Sequence, residues 1–252
     1  MKVFFSIITV VLNDIFGLKK TMDSLWSQDT NDYEWIVIDG GSNDGTFEYL
    51  SEIPQQRLKW ISENDTGIYD AMNKGIKLCQ SNYVLFLNAG DFFTHSSILK
   101  SIKSYINNLK FAPDILFSGA NYLFKNGVKF YRRPKQIEKY IWHGLPALHQ
   151  ATFYNIKLFY NTRYDCNYHI CGDYFISATF FKQGINSSYF NRPIVNFIVG
   201  GFSYHHPFKL LLEPFLIQKY VLNIPSHLRL ISFLRRFFSL FVYYFISLKW
   251  TR

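Results

Sequence analysis

Apolar and polar positions alternate in blocks along the first hundred residues. Residues 4–12 are β-branched and apolar almost without break, as in a strand covered on both faces. Leu18, Met22, Leu25 and Trp26 then recur at helical spacing, which predicts a helix over 18–28. Further strands are expected at 34–38, 58–62 and 83–87, and a helix beginning after the loop at 63–70. A short turn rich in glycine and small polar residues, Asp39-Gly40-Gly41-Ser42-Asn43-Asp44-Gly45-Thr46, closes the second strand. Strands alternating with helices at this spacing imply a parallel, right-handed α/β sheet.

That order brings three carboxylate-bearing loops to one sheet edge: Asp39, the segment from Asp65 to Asp70, and Asp91 after the run Leu85-Phe86-Leu87-Asn88-Ala89-Gly90. Ligands of open α/β sheets bind beyond the carboxyl ends of the strands. A carboxylate following small residues suits a divalent metal that carries phosphate oxygens. The plainer reading makes Asp91 a cap for the helix expected over 96–109. The loop after the first strand has no Gly-x-Gly-x-x-Gly and the chain has no Gly-Lys-Ser/Thr phosphate loop, which disfavours a dinucleotide site and a P-loop nucleotidase.

In the second half, residues 113–118 read as a strand. Asn126-Gly127 between Tyr122-Leu123-Phe124 and Val128-Lys129-Phe130 reads as a hairpin. The run Arg132-Arg133-Pro134-Lys135 is read first as a solvated turn and second as a phosphate-binding patch. Asp173 opens an aromatic helical pattern, where an acid stabilises a helix N-terminus by about 0.3–1 kcal/mol.

Composition narrows the partners. The 252 residues are 48% hydrophobic and 19% aromatic, which excludes a mainly disordered chain, and the net charge of +9 favours an anionic partner. The three cysteines, Cys79, Cys166 and Cys171, lack metal-ligand spacing and fit reduced thiols in the cytoplasm. The N-terminal apolar run is short and has no small-residue cleavage site, so it reads as a strand and not a signal peptide. From residue 208 the chain turns aromatic and basic, and no stretch reaches the ~18 uninterrupted apolar residues of a spanning helix. Phe237 to Leu248, flanked by Arg235, Arg236 and Lys249, suits helices lying in a headgroup region with Trp250 at the interface; the alternative is a helix packed on the core or in a dimer.

Four ordered motifs carry a family resemblance: Thr9-Val10-Val11-Leu12-Asn13; Val37-Ile38-Asp39 with the glycine turn to Thr46; Asp65-Thr66-Gly67-Ile68-Tyr69-Asp70-Ala71-Met72-Asn73-Lys74-Gly75; and Leu87-Asn88-Ala89-Gly90-Asp91. Together they closely resemble the family 2 inverting glycosyltransferases, of the bacterial type that builds colanic acid, O-antigen and capsule. The resemblance is dense over residues 3–100 and thinner to about 205. It implies a GT-A fold with a Rossmann-like, mostly parallel central sheet flanked by helices, over 1–207. Residues 1–110 would form the nucleotide-sugar half, 111–207 the acceptor half, and 208–252 a helical, membrane-associating tail.

By the same resemblance, Thr9 and Val11 line a base pocket and Asp39 bonds the uracil or ribose. Asp65, Asp70 and Asn73 shape the nucleotide and sugar side, with Asn88, Ala89 and Gly90 beside them, and Asp91 binds Mn2+ or Mg2+ on the diphosphate. The family's Asp-x-Asp-like element reads Asn88-Ala89-Gly90-Asp91 here, so one carboxylate is replaced by an amide. His149 and Gln150 resemble the acceptor-side element, although a lone His beside apolar residues is more often structural. Asp173 is the expected general base, ionised at neutral pH with an ordinary pKa, and Asp165 is the alternative. Gly200-Gly201-Phe202-Ser203 resembles the element that ends the catalytic region, a flexible lid over the diphosphate with Ser203, His205 or His206 in reach of it. The expected reaction moves a hexose or N-acetylhexosamine from a nucleotide sugar, UDP-linked by family habit, to a saccharide on polyprenyl diphosphate, with a β-linkage. The expected place is the cytoplasmic face of the cell membrane, peripherally bound. A sugar nucleotidyltransferase and a non-catalytic basic module for membrane or nucleic acid are the competing classes. The ordered acids argue against a nucleic-acid partner, and the oligomeric state is open, a homo-oligomer included.

Overall fold

The structure is a computed structural model that describes residues 3–54, 58–124, 126–201 and 206–249. The expected alternation in the first half is present: β1 (Phe5–Val11), α1 (Ile15–Trp26), β2 (Tyr33–Asp39), α2 (Thr46–Glu52), β3 (Leu58–Ser62), α3 (Ile68–Leu78) and β4 (Tyr83–Phe86). There follow β5 (Phe92–Phe93), α4 (Ile98–Asn107), β6 (Ile115–Leu123), β7 (Lys129–Arg132), α5 (Ile137–Tyr140), β8 (Thr152–Asn155), α6 (Gly172–Lys182), β9 (Ser187–Ile198), α7 (Pro207–Tyr220) and α8 (Ser226–Lys249). Among the described residues the strands form one nine-stranded sheet in the order β3-β2-β1-β4-β8-β6-β9-β5, with β7 paired to β6.

β3-β2-β1-β4 is parallel, as the apolar runs require; every residue of β1 and β2 is buried, because α1 covers one face and α3 the other. The sheet then turns mixed. β8 runs antiparallel between β4 and β6, β5 runs antiparallel to β9, and only β6 and β9 restore a parallel pairing. The β6–β7 hairpin forms at Asn126-Gly127, with Gly127 at φ +82° and the Asn126 side chain accepting from Val128 N–H.

Two apolar layers sandwich the sheet. The expected boundary at residue 207 falls inside one of them, because Ile217 and Leu222 belong to the same cluster as Ile8, Phe86 and Tyr174. α8 splits its surface. Ser232 is fully buried and bonded to Gln218 and His143, while Leu230, Ile231, Leu234, Phe237 and Phe238 are exposed. No helix among the described residues is long and apolar enough to cross a membrane.

Candidate active site

The carboxyl ends of β1, β2 and β4 lie side by side, with Val11 paired to Asp39 and Asp39 to Ser62. Asp39 is completely buried, yet its carboxylate is not stranded: Ser42 donates through N–H and Oγ, and Ser62 Oγ donates at 2.6 Å. The turn wraps its own acid, which fixes the loop for a ligand. The glycine pair in that turn is required by contact. A Cβ on Gly40 would stand 2.6 Å from Asp65 Oδ2, and one on Gly41 (φ +83°) would stand 2.5 Å from Asn64 Oδ1. The turn after Asp39 and the loop carrying Asn64 and Asp65 therefore meet at these two glycines.

Other expected donor residues have structural duties. Thr9 does not line a pocket: it is fully buried, its hydroxyl donating to Leu87 carbonyl and accepting from Trp35 Nε1. Val11, two residues on and hence on the same strand face, is packed in the same apolar layer. Asp70 reaches back to Thr66 N–H and pairs with Lys74, which holds its carboxyl below the usual range and closes the first turn of α3. Asn73 spends its amide on the Tyr164 backbone, donating at 2.9 Å and accepting at 3.0 Å.

The Asn88–Asp91 loop has the properties of a ligand site. Asp91 N–H bonds back to Asn88, and Thr21 Oγ1 accepts from Gly90 N–H and donates to Asp91 carbonyl, so the loop is a tight turn on α1. Asp91 does not cap α4; its carboxyl points inward, is 5% exposed, and accepts from Ile198 N–H at the end of β9. Burial raises it to about 7, against Ile198, Gln150 and Lys20, which favour the ionised form. Asn88 Oδ1 is buried without a hydrogen-bond partner. No group of three or more His, Cys, Asp or Glu among the described residues forms a metal cage. One carboxylate and one orphaned amide oxygen fit a hard divalent cation held mainly by substrate phosphates. β9 ends against Asp91 at Ile198, two residues before Gly200 (φ +111°), while Ser203 and His205, like Trp250, lie outside the described residues.

The acceptor-side expectations divide. Gln150 stands beside Asp91 and favours its ionised form, on the donor edge. His149 is no acceptor ligand. It is 4% exposed, stacked on Phe86 at 4.6 Å and enclosed by Tyr154 and Tyr164, with burial pushing it down to about 3. It is a neutral core imidazole.

Asp173 sits in the first turn of α6, half-buried, and accepts from Tyr174 N–H at 2.7 Å. Its pKa is not ordinary: burial, and secondarily the Glu213 charge, raise it to about 7. One acid thus charges the helix start and carries a raised pKa. Asp165 instead folds onto Asn167 in its own loop. The turn carrying Asp173 is locked from two sides. Tyr69, in the first turn of α3, donates to Ile170 carbonyl, and a Cβ on Gly172 would strike its ring at 2.7 Å. Glu213 of α7, 6% exposed, accepts from the N–H groups of His169, Ile170 and Cys171 at 2.8–3.0 Å. Its signal was visible, a lone acid in an apolar stretch between Phe208 and Leu216, but its partners lie more than forty residues back.

A wrapped acid at β2, a buried acid after β4 and an acid in the first turn of α6, tied to α3 through Tyr69, thus sit on the α/β sheet of a GT-A fold. The model of glycosyl transferase family 2 matches residues 6–190, and the chain belongs to that family. Among curated relatives, a PGL/p-HBAD biosynthesis glycosyltransferase of Mycobacterium bovis (strain BCG / Pasteur 1173P2) is 31% identical over 172 residues, 64% of each chain. An uncharacterized glycosyltransferase of Mycobacterium tuberculosis (strain CDC 1551 / Oshkosh) is 31% identical over 67% of this chain and 65% of its own. The chain thus spans just under two thirds of the length of these relatives. Among solved structures, S. aureus TarS 1–349 in complex with UDP superposes with a TM-score of 0.70 at 18% identity, covering 94% of this chain and 72% of that one. The mannosyltransferase PcManGT from Pyrobaculum calidifontis, in complex with GDP-Man and Mn2+, gives 0.61 at 12% identity, covering 92% and 73%.

Proposed function

We propose that the chain is an inverting glycosyltransferase that moves a hexose or N-acetylhexosamine from a UDP-linked sugar to a saccharide carried on a polyprenyl diphosphate, in surface-polysaccharide assembly. The observation that carries this reading is the Asp173 turn, bound to the start of donor-side helix α3 through Tyr69 and held at a pKa of about 7. A base works best with its pKa near the working pH. Asp173 takes the proton of an acceptor hydroxyl as the oxygen attacks the anomeric carbon opposite the diphosphate, so an α-linked donor yields a β-linkage. Asp39 orients the nucleoside, with its loop already fixed by Ser42 and Ser62. Asp91 and Asn88 Oδ1 would hold a Mn2+ or Mg2+ ion, which supplies positive charge to the leaving diphosphate. UDP as the nucleotide is supported by the ligand of TarS, and a metal by the Mn2+ of PcManGT.

The exposed apolar residues of α8, with Phe208 and Leu212 of α7 beside Lys209, support seating on the inner face of the membrane, where a lipid-linked acceptor is presented. Family membership leaves the nucleotidyltransferase and basic-module alternatives without support.

The test is transfer across UDP-, GDP- and dTDP-sugars to a synthetic saccharide diphosphate-lipid, with Mn2+ or EDTA. D173N should lose on the order of 10²–10⁴-fold in rate while still binding the nucleotide. In the wild type kcat/KM should rise with pH through about 7, as the base deprotonates. Undiminished transfer by D173N would sink the assignment of the base.

A further inference from the structure

Arg236 lies one turn beyond Ser232 on the face of α8 that packs against the chain. Its guanidinium is 5.7 Å from the centre of the Tyr174 ring, and Nη2 would be 3.6 Å from a Cβ on Gly144. Nε and Nη2 are buried, with no hydrogen-bond partner and no ion pair among the described residues. Stacking on Tyr174 explains part of this placement. A methionine would fill the same space without desolvating a charge, so the orphaned donors call for an acceptor that arrives from outside.

Two further arginines share these surroundings. Arg132, expected from sequence in a solvated turn, faces inward, with Nη1 on Tyr122 Oη at 2.9 Å and Nη2 on Leu145 carbonyl at 3.1 Å. Arg235 is adjacent and exposed. Burial and these three arginines push His143 down to about 4, so it stays neutral, with Nδ1 on Ser232 Oγ. Burial raises both Cys171 and Tyr174, which flank the Gly172-Asp173 pair, and the Arg236 charge opposes that rise. The three guanidinium groups outnumber the two nearby carboxylates, Asp173 and Glu213, and the planar fork of an arginine matches phosphate oxygens.

We propose that Arg236, with Arg132 and His143, forms an anion subsite beside Asp173 that receives a phosphoryl group of the acceptor, the diphosphate joining saccharide to lipid. This rests on the transferase reading. It deepens that reading by making α8 the anchor that presents the sugar hydroxyl to the base.

The full chain is titrated with farnesyl diphosphate, with farnesol, and with phosphatidylglycerol or phosphatidylcholine vesicles, as wild type, R236Q, R236K and R133Q. Farnesyl diphosphate, and not farnesol, should saturate the wild type. R236Q should weaken it about tenfold, R236K less, and R133Q not at all. The melting temperature of R236Q should not fall, because the change removes a buried unpaired charge; if it does fall, R236K, which keeps the charge without the fork, carries the comparison. Equal affinity in wild type and the Arg236 variants overturns the subsite. Loss of phosphatidylglycerol binding with farnesyl diphosphate retained overturns it too, in favour of a phospholipid headgroup. UDP is titrated in parallel. A wild type that binds no UDP defeats the transferase reading, whereas UDP bound equally by all variants with unchanged diphosphate affinity defeats only the subsite.

Discussion

Replacing Asp91 by Asn keeps the shape of the side chain and removes only its charge. In the folded chain burial lifts this carboxyl from 3.8 to about 7. Each tenfold change in proton affinity corresponds to about 1.4 kcal/mol. Ionised Asp91 therefore costs the fold on the order of 4 kcal/mol once the pH is well above 7. The direction is opposite to that of a salt-bridged acid. Between about pH 4 and 7 the folded chain keeps a proton that the unfolded chain has released, so this residue lowers stability as pH rises, and its cost vanishes below the unfolded value. D91N in EDTA should be more stable than wild type at about pH 8, by about 2–4 kcal/mol or roughly 5–10 °C in Tm, and nearly equal to it at about pH 4. Metal-dependent UDP binding should be lost in the same variant. Urea unfolding of both proteins at three pH values reads the difference. A gain that does not vary with pH, or a D91N protein less stable at pH 8, would refute the argument that a buried charge is held there for a ligand.

Two further substitutions probe the turn that carries Asp173. E213Q removes the charge that accepts three backbone N–H groups and raises Asp173; it should cost about 1–3 kcal/mol in denaturant unfolding and shift the pH–rate profile toward lower pH. A merely structural Glu213 would lower the rate without moving the profile. G172A forces a methyl onto the Tyr69 ring, which is buried and held by Ile170; it should cost about 1–3 kcal/mol in thermal unfolding and lower kcat more than nucleotide affinity. Unchanged stability in G172A would mean that the two loops are not in firm contact.

The donor half was legible because its code is local. Continuous apolar runs specify β1, β2 and β4, and Gly40-Gly41 marks a place where another loop comes close. α2 escaped notice because it starts directly from that turn at Gly45 with no side-chain cap. The acceptor half is written in contacts between distant residues. β9 carries Asn191-Arg192-Pro193 inside a strand, and its register against β6 shifts at Ser118 and Gly119, so no regular alternation marks it. β8 has only four residues. His149 looked like a ligand because sequence could not show Phe86 and Tyr164 closing on it. The place of Asp173 at a helix start was legible, but not its raised pKa, which depends on burial and on Glu213. Asn73 and Thr9 show the converse: residues within a recognised motif whose polar atoms serve the frame.

The clasp between Glu213 and the 169–171 backbone bears on the order in which the chain is made. A chain emerges from the ribosome N-terminus first, and its early segments can pack as they appear. The parallel β-strands and the wrapped Asp39 turn need nothing beyond residue 87 to pair. The turn bearing Asp173 can meet Tyr69 of α3 as soon as it is made, but its second fastening, to Glu213, waits until α7 has been synthesised. A nascent chain stalled before Glu213 thus has its first four strands paired and the Asp173 turn held from one side only, so the order of translation leaves the backbone at 169–171 without its carboxylate partner until α7 has docked.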